Sequence, residues 1–85
     1  MCKNLKTKRV TDEAKIIGQN LYDLRKSSGL TQSKLAKFLD VTFQQIQKYE
    51  CGANRLPIEK LYQLKHYYDV PYDAFFEGLS VKTRI

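Results

Sequence analysis

Three polar residues, Gln44, Gln47 and Lys48, have the spacing that places side chains on one face of a helix. A glutamine amide carries a paired donor and acceptor that match the major-groove edge of adenine, and a lysine can bond guanine or a phosphate oxygen. Few acidic residues lie nearby to repel phosphate. The pattern therefore predicts a helix that reads bases of duplex DNA, with Gln44 the strongest candidate. A merely solvated polar face is the alternative, and the completeness of the flanking pattern disfavours it.

Residues 31–52 are predicted to hold these side chains in two short helices joined by a tight turn. Thr31 and Thr42 can each begin a helix, because a threonine oxygen accepts a hydrogen bond from an otherwise unpaired amide. In the second helix Ile46 and Tyr49 fall on the side away from the polar residues, so they are expected to face the core. Such a slim helix fits the major groove while the helix ahead of it braces against the DNA backbone.

Apolar residues at helical spacing predict three further helices around this pair. The first extends from a threonine cap at residue 11 to about residue 28, and another extends from Pro57 to about residue 69. A short fifth helix is expected after Pro71 and before Gly78. The apolar positions expected in the core of the two longer helices are Ala14, Ile17, Leu21, Leu24, Ile58, Leu61, Leu64 and Tyr68. The predicted fold class is therefore all-α.

The segment TQSKLA at residues 31–36, followed by a hydrophobic turn and TFQQIQKYECG at residues 42–52, resembles the helix-turn-helix of the lambda-repressor-like (Cro/Xre) family. The resemblance covers about residues 17–78, including the NRLP and VPYDAFFEG segments. It implies a compact five-helix lambda-repressor-like domain in which the helix-turn-helix forms helices 2 and 3. It also implies a homodimeric transcriptional regulator, expected to be a repressor, that binds a palindromic operator in double-stranded DNA.

The resemblance also assigns roles to individual residues. The residues expected on the DNA backbone are Gln32, Ser33, Lys34, Thr42, Asn54 and Arg55. Gln32 opens the second helix, where free amides and the helix dipole suit a phosphate, and an ordinary polar first-turn residue is the alternative. Asn54 fits either a DNA contact or a loop position that uses its local hydrogen bonding.

Two positions depart from the family pattern. Asp40 occupies a turn where many relatives carry glycine, and aspartate tolerates a positive φ there at a cost of about 1 kcal/mol. Phe43 occupies the first turn of the recognition helix, where relatives often carry a polar base-reading residue. Two placements remain open for Phe43: it covers a thymine methyl group, which keeps it in the base-reading set, or it packs against the first helices.

In this family an arginine at the position of Arg25 commonly pairs with a glutamate at the position of Glu50. The guanidinium fork matches a carboxylate through two hydrogen bonds, so the pair would tie the first helix to the end of the recognition helix. A solvated Arg25 is the alternative. The role of Arg25 is structural in both cases.

The formal net charge of +6 favours a polyanionic partner, and the charge is uneven along the chain. Residues 1–10 hold cations and no acid, so they are predicted to form a flexible basic arm, either solvated or lying along DNA. Residues 11–78 are then the DNA-binding domain, and residues 79–85 a tail. The small size favours packing against a second subunit. The surface expected to form that homodimer contains Tyr72, Phe76, Leu79 and Val81.

The remaining residues indicate no enzymatic, metal-binding or membrane function. Cys2, Cys51 and His66 show none of the clustered spacings that zinc requires, and no nucleophile–base set or phosphate-binding loop is present. No run approaches the ~20 apolar residues of a membrane helix. With no apolar signal segment and two cysteines far apart in sequence, we expect a cytoplasmic protein with reduced thiols and no cofactor. A second hypothesis is an antitoxin, since the same fold also binds toxin partners.

Overall fold

Helices account for the regular secondary structure of residues 11–79, the part of the chain that the computed structural model describes. They are α1 (Asp12–Ser27), α2 (Gln32–Leu39), α3 (Phe43–Cys51) and α4 (Ile58–Tyr68), followed by a short 3₁₀ helix (Tyr72–Phe75). The all-α prediction is confirmed for these residues, and α2 and α3 form the helix-turn-helix. The basic arm predicted for residues 1–10, and Val81 of the predicted dimer surface, lie outside the described residues.

The predicted fifth α-helix is wrong, because residues 72–75 form a single turn of 3₁₀ helix. Four residues are too few to sustain the hydrogen bonds of an α-helix, which close four residues apart. The Asn20 side chain of α1 then donates to the carbonyl oxygens of Phe75 and Glu77, both at 2.9 Å. These bonds hold the chain off an α-helical path where fully buried Phe75 ends the 3₁₀ helix.

Threonine side chains begin the first three helices, as the sequence predicts. The Oγ1 atoms of Thr11, Thr31 and Thr42 accept backbone amide hydrogen bonds at 3.1, 3.1 and 3.0 Å. Each bond satisfies one amide that has no partner inside its helix. Between α2 and α3 the chain reverses at Asp40, whose φ of 58° and ψ of 47° lie in the left-handed region. The tight turn predicted there is confirmed.

The helices and the 3₁₀ turn share one hydrophobic core. Its buried members are Leu21, Leu35, Ala36, Leu39, Ile46, Tyr49, Leu64 and Phe75. Ile58, which the helical spacing placed in the core, is instead 76% exposed. It is the first residue of α4, and that helix meets the core one turn later through Leu61 and Leu64.

Three further expectations concern chemistry outside the core. Within residues 11–79 no helix combines the length and apolar character needed to cross a membrane. The same part of the chain contains no group of three or more His, Cys, Asp or Glu residues placed to hold a metal ion. The reduced thiol expected at Cys51 is wrong, since no cysteine among the described residues is free.

Candidate nucleic-acid interface

The outer edge of α3 carries the polar side chains that the sequence singles out. Gln44 and Lys48 are exposed, and Gln47 between them is half-buried. On the other side of the helix, Ile46 is fully buried and Tyr49 is only 7% exposed. Burial also raises the pKa of the Tyr49 phenol above its ordinary value, so this group stays neutral. One side of α3 is thus anchored, and the opposite edge is open to a ligand.

Phe43 lies beside a groove between the start of α3 and α2. Its side chain is 41% exposed and does not belong to the core. Ser33, Lys34 and Lys37 of α2 line the same groove. The aromatic ring therefore lines the groove beside α2 and is also partly exposed. An exposed apolar surface at this position suits a thymine methyl group.

The starts of α2 and α3 form a second part of the interface. Ser33, Lys34 and Thr42, all predicted to contact the DNA backbone, are exposed there. Neither helix has an acidic residue in its first turn. The positive end of a helix dipole and its unpaired amides favour an anion, so both helix starts suit a phosphate.

The loop after α3 carries the other two exposed residues of the predicted backbone set, Asn54 and Arg55. The Asn54 amide donates to the Lys48 carbonyl oxygen at 3.2 Å, which fixes the loop to the end of α3. Asn54 and Arg55 also line a cleft with Thr11 and Glu13 at the start of α1. The loop is therefore held between the recognition helix and the first helix.

Gln32 differs from the other residues of the backbone set, because its side chain is half-buried and turned towards the protein. Its Nε2 donates to Oε1 of Glu50 at 2.9 Å. The sequence did not identify Glu50 as the partner of this side chain. The only available signal was the expected Arg25–Glu50 pair, which brings a carboxylate close to the helix that Gln32 begins.

The Arg25 guanidinium binds the same Glu50 carboxylate at two points. Nε of Arg25 lies 2.6 Å from Oε2, and Nη2 lies 3.2 Å from Oε1. The two side chains are only 8% and 5% exposed. Nη1 of Arg25 also donates to the Leu30 carbonyl oxygen at 2.9 Å. Together with the Gln32 amide, these bonds join α1, α2 and α3 at one carboxylate, and removal of either charge would leave the other enclosed without its partner.

A family model for the helix-turn-helix matches residues 21–75, from the middle of α1 to the end of the 3₁₀ helix. The chain belongs to the helix-turn-helix family of the Cro/C1 type. The resemblance noted from the sequence is confirmed by this match.

Curated relatives of this helix-turn-helix protein include HTH-type transcriptional regulators of Rickettsia prowazekii and Rickettsia conorii. They are 46% and 44% identical to it over 64 residues. A transcriptional regulator in the ATPase CF(0) region of Rhodospirillum rubrum is 43% identical over 64 residues. The aligned part is 75% of this chain but only 49%, 51% and 59% of the three relatives. The chain thus spans about half the length of the first two relatives.

Two solved structures share the fold of this helix-turn-helix protein. The restriction-modification controller protein C.AhdI from Aeromonas hydrophila superposes with a TM-score of 0.70 at 23% identity, over 78% of this chain and 100% of that one. A transcriptional regulator from Listeria innocua superposes with a TM-score of 0.69 at 26% identity, over 81% of this chain and 64% of that one.

Proposed function

We propose that this helix-turn-helix protein is a sequence-specific, double-stranded DNA-binding transcriptional regulator that acts as a repressor. The observation that carries the proposal is the edge of α3, where Gln44 and Lys48 are exposed on a helix whose other side is anchored by buried Ile46. Amide and ammonium groups held in this way can pair with base edges when α3 lies in the major groove. The relatives named as transcriptional regulators support the same class.

The interface divides into residues that read bases and residues that anchor the protein. The reading set is Phe43, Gln44, Gln47 and Lys48. The anchoring set is Gln32, Ser33, Lys34, Thr42, Asn54 and Arg55. Gln32 fits the anchoring set although it binds Glu50, because an amide nitrogen has two hydrogens and the second can donate to a phosphate. Anchoring contacts fix register on the duplex, and reading contacts supply selectivity.

A homodimer would extend this interface over two successive turns of DNA. Tyr72 and Phe76 are 40% and 37% exposed, and half-buried Leu79 follows them. We propose that these residues, with Val81, pair across a twofold axis. The two recognition helices would then lie ~34 Å apart on one face of a palindromic operator. Occupation of such an operator would block RNA polymerase sterically.

An antitoxin that binds a protein partner and regulates its own operon is the second candidate. It is favoured by apolar surface outside the reading and anchoring sets, since Ile58 and Tyr62 of α4 are 76% and 57% exposed. Exposed apolar side chains of this kind suit a protein interface. Co-purification of a small protein encoded beside this chain would support this candidate.

Selection of duplexes from a randomised pool, followed by sequencing, tests the main proposal. We expect enrichment of an inverted repeat whose half-sites are separated by about one helical turn. A Gln44→Ala/Lys48→Ala double variant with an unchanged circular dichroism spectrum is the control, and it should enrich no motif. A wild-type protein that binds all duplexes equally, or none, would refute sequence-specific recognition.

A further inference from the structure

A lysine of α4 reaches the turn of the helix-turn-helix. Nζ of Lys60 lies 2.6 Å from the carbonyl oxygen of Leu39, the last residue of α2. Lys60 itself is half-buried. It belongs to neither the reading nor the anchoring set, and no sequence pattern links it to the turn.

The Leu39 carbonyl is one of the groups that a helix leaves without an internal partner at its C-terminal end. The backbone amide of Asp40 donates to the Lys37 carbonyl oxygen, and that of Val41 donates to the Ala36 carbonyl oxygen. These bonds satisfy two carbonyls in the last turn of α2 but not that of Leu39. The Lys60 ammonium, which belongs to α4, donates the missing hydrogen bond to the Leu39 carbonyl oxygen. A charged donor makes this a strong hydrogen bond, and a cation at this end also complements the helix dipole.

The direction of that carbonyl is coupled to the start of α3. The Leu39 side chain is fully buried, so one side of the residue is fixed by the core. The chain then reverses through left-handed Asp40 and begins α3 after the Thr42 cap. With so short a connection, rotation of the peptide that follows Leu39 must displace the first turn of α3, which carries Phe43 and Gln44.

We propose that Lys60 is a positioning residue for the recognition helix. By holding the Leu39 carbonyl, it fixes the helix-turn-helix turn and therefore the angle at which Gln44 meets the bases. Selective binding depends on Lys60, although its ammonium contacts the protein and not the DNA. The inference rests on the proposed function, since selectivity requires a duplex that the protein prefers.

Two variants test the role of Lys60. Lys60→Met keeps the aliphatic stem and removes the hydrogen bond, and Lys60→Arg restores a cationic donor. Affinity is measured by fluorescence anisotropy for the selected duplex and for a scrambled duplex of equal length and composition, across a range of salt concentrations and well below the melting temperature. We expect Lys60→Met to bind the selected duplex about tenfold more weakly. Affinity for the scrambled duplex and its salt dependence should not change, and Lys60→Arg should recover part of the loss.

The alternatives give different results. If both duplexes bind more weakly and the salt dependence flattens, Lys60 contacts phosphate and the proposal is overturned. If the melting temperature falls while the ratio of the two affinities is unchanged, Lys60 only stabilises the fold and the proposal is equally overturned. Should Lys60→Met fail to fold, Lys60→Gln, whose shorter, neutral donor weakens the contact, takes its place, and a smaller loss confined to the selected duplex is expected.

A measurement without DNA separates this inference from the proposed function. Amide hydrogen exchange in Lys60→Met should accelerate at residues 40, 41, 45 and 46, whose amides are hydrogen-bonded across the turn and the start of α3, and remain unchanged elsewhere in α1 and α3. Localised acceleration supports the positioning contact even if the wild-type protein shows no preferred duplex, in which case only the proposed function has failed. Unchanged exchange at residues 40, 41, 45 and 46 would overturn the positioning role.

Discussion

Gly18 of α1 lies directly against the backbone of Tyr49 in α3. A Cβ atom at position 18 would stand 2.5 Å from the Tyr49 carbonyl oxygen and 2.6 Å from that of Glu50, closer than real Cβ contacts allow. The absence of a side chain therefore permits the close crossing of the two helices. The same crossing brings Arg25, two turns further along α1, to the Glu50 carboxylate.

Gly18→Ala should destabilise the fold by about 1–3 kcal/mol, because the added methyl group forces two backbone segments apart. An ordinary glycine-to-alanine change inside a helix has the opposite sign and stabilises by roughly 0.5–1 kcal/mol. Urea denaturation followed by circular dichroism measures the difference. Lys15→Ala, an exposed change in the same helix, is the control and should be close to neutral. A more stable Gly18→Ala variant would show that α1 and α3 do not cross as described.

Arg25→Met should lower the free energy of unfolding by about 3–5 kcal/mol, because Glu50 would be left enclosed without its cation. DNA affinity should fall as an indirect consequence, since the end of α3 loses its tie to α1. Lys26→Met removes an exposed charge from the next position and should have little effect. The measurement is thermal and urea denaturation of each variant, and an Arg25→Met protein with the wild-type melting temperature would contradict the structural role.

Ionisation of the Tyr68 phenol should lower the stability of the fold at alkaline pH. Burial raises the pKa of its phenol above the ordinary value of 10.0. The folded state therefore holds the proton more tightly than the unfolded chain. The contribution to stability is complete below the unfolded pKa, and it is lost as the pH rises from there through the higher folded pKa.

Tyr68→Phe cannot ionise, so this variant should lose less stability than the wild type as the pH rises through 10.0 and above. At neutral pH the change should be small, because the buried hydroxyl makes no hydrogen bond of good geometry to another described residue. Urea denaturation at several pH values measures both effects. Tyr62→Phe, at a 57% exposed tyrosine, is the control and should follow the wild-type pH profile. Identical pH profiles of stability for Tyr68→Phe and wild type would show that ionisation of Tyr68 does not destabilise the fold at alkaline pH.

Local patterns in the sequence predicted the helices and their beginnings. Thr11, Thr31 and Thr42 act as caps through contacts that span only three residues, so the sequence contains all the information that the caps require. Apolar periodicity found the buried side of α3 for the same reason. The family resemblance then supplied the one long-range contact that was anticipated, between Arg25 and Glu50.

Contacts between distant residues explain what the sequence did not reveal. The 3₁₀ turn depends on Asn20, which lies 55 residues from Phe75. The Gln32 amide and the Lys60 ammonium look like ordinary polar groups in the sequence, and only the packing of α2 against its neighbours gives them partners. Helical periodicity predicts which face of α4 carries Ile58, but it does not predict how far along that helix the core extends.

Gln44→Ala and Arg55→Ala should weaken DNA binding in different ways. Loss of the Gln44 amide should relax the preference at one base position, at a cost of ~1–3 kcal/mol for the preferred duplex. Loss of the Arg55 charge should weaken all duplexes alike and reduce the slope of log affinity against log salt by about 1. Titrations against the selected duplex and its single-position substitutions measure both effects. The division between reading and anchoring fails if the two variants behave identically.

Phe76→Glu should weaken the proposed dimer, because it places a charge in the exposed apolar segment after the 3₁₀ helix. A change at the centre of an interface raises the dimer dissociation constant by about tenfold or more, which sedimentation equilibrium measures. Affinity for a full palindrome should fall while affinity for a single half-site is retained, since α3 is not altered. Tyr62→Glu introduces the same charge at an exposed position of α4 and should leave the dimer intact. If instead Tyr62→Glu dissociates the dimer and Phe76→Glu does not, α4 provides the twofold surface and the segment containing Tyr72 and Phe76 does not.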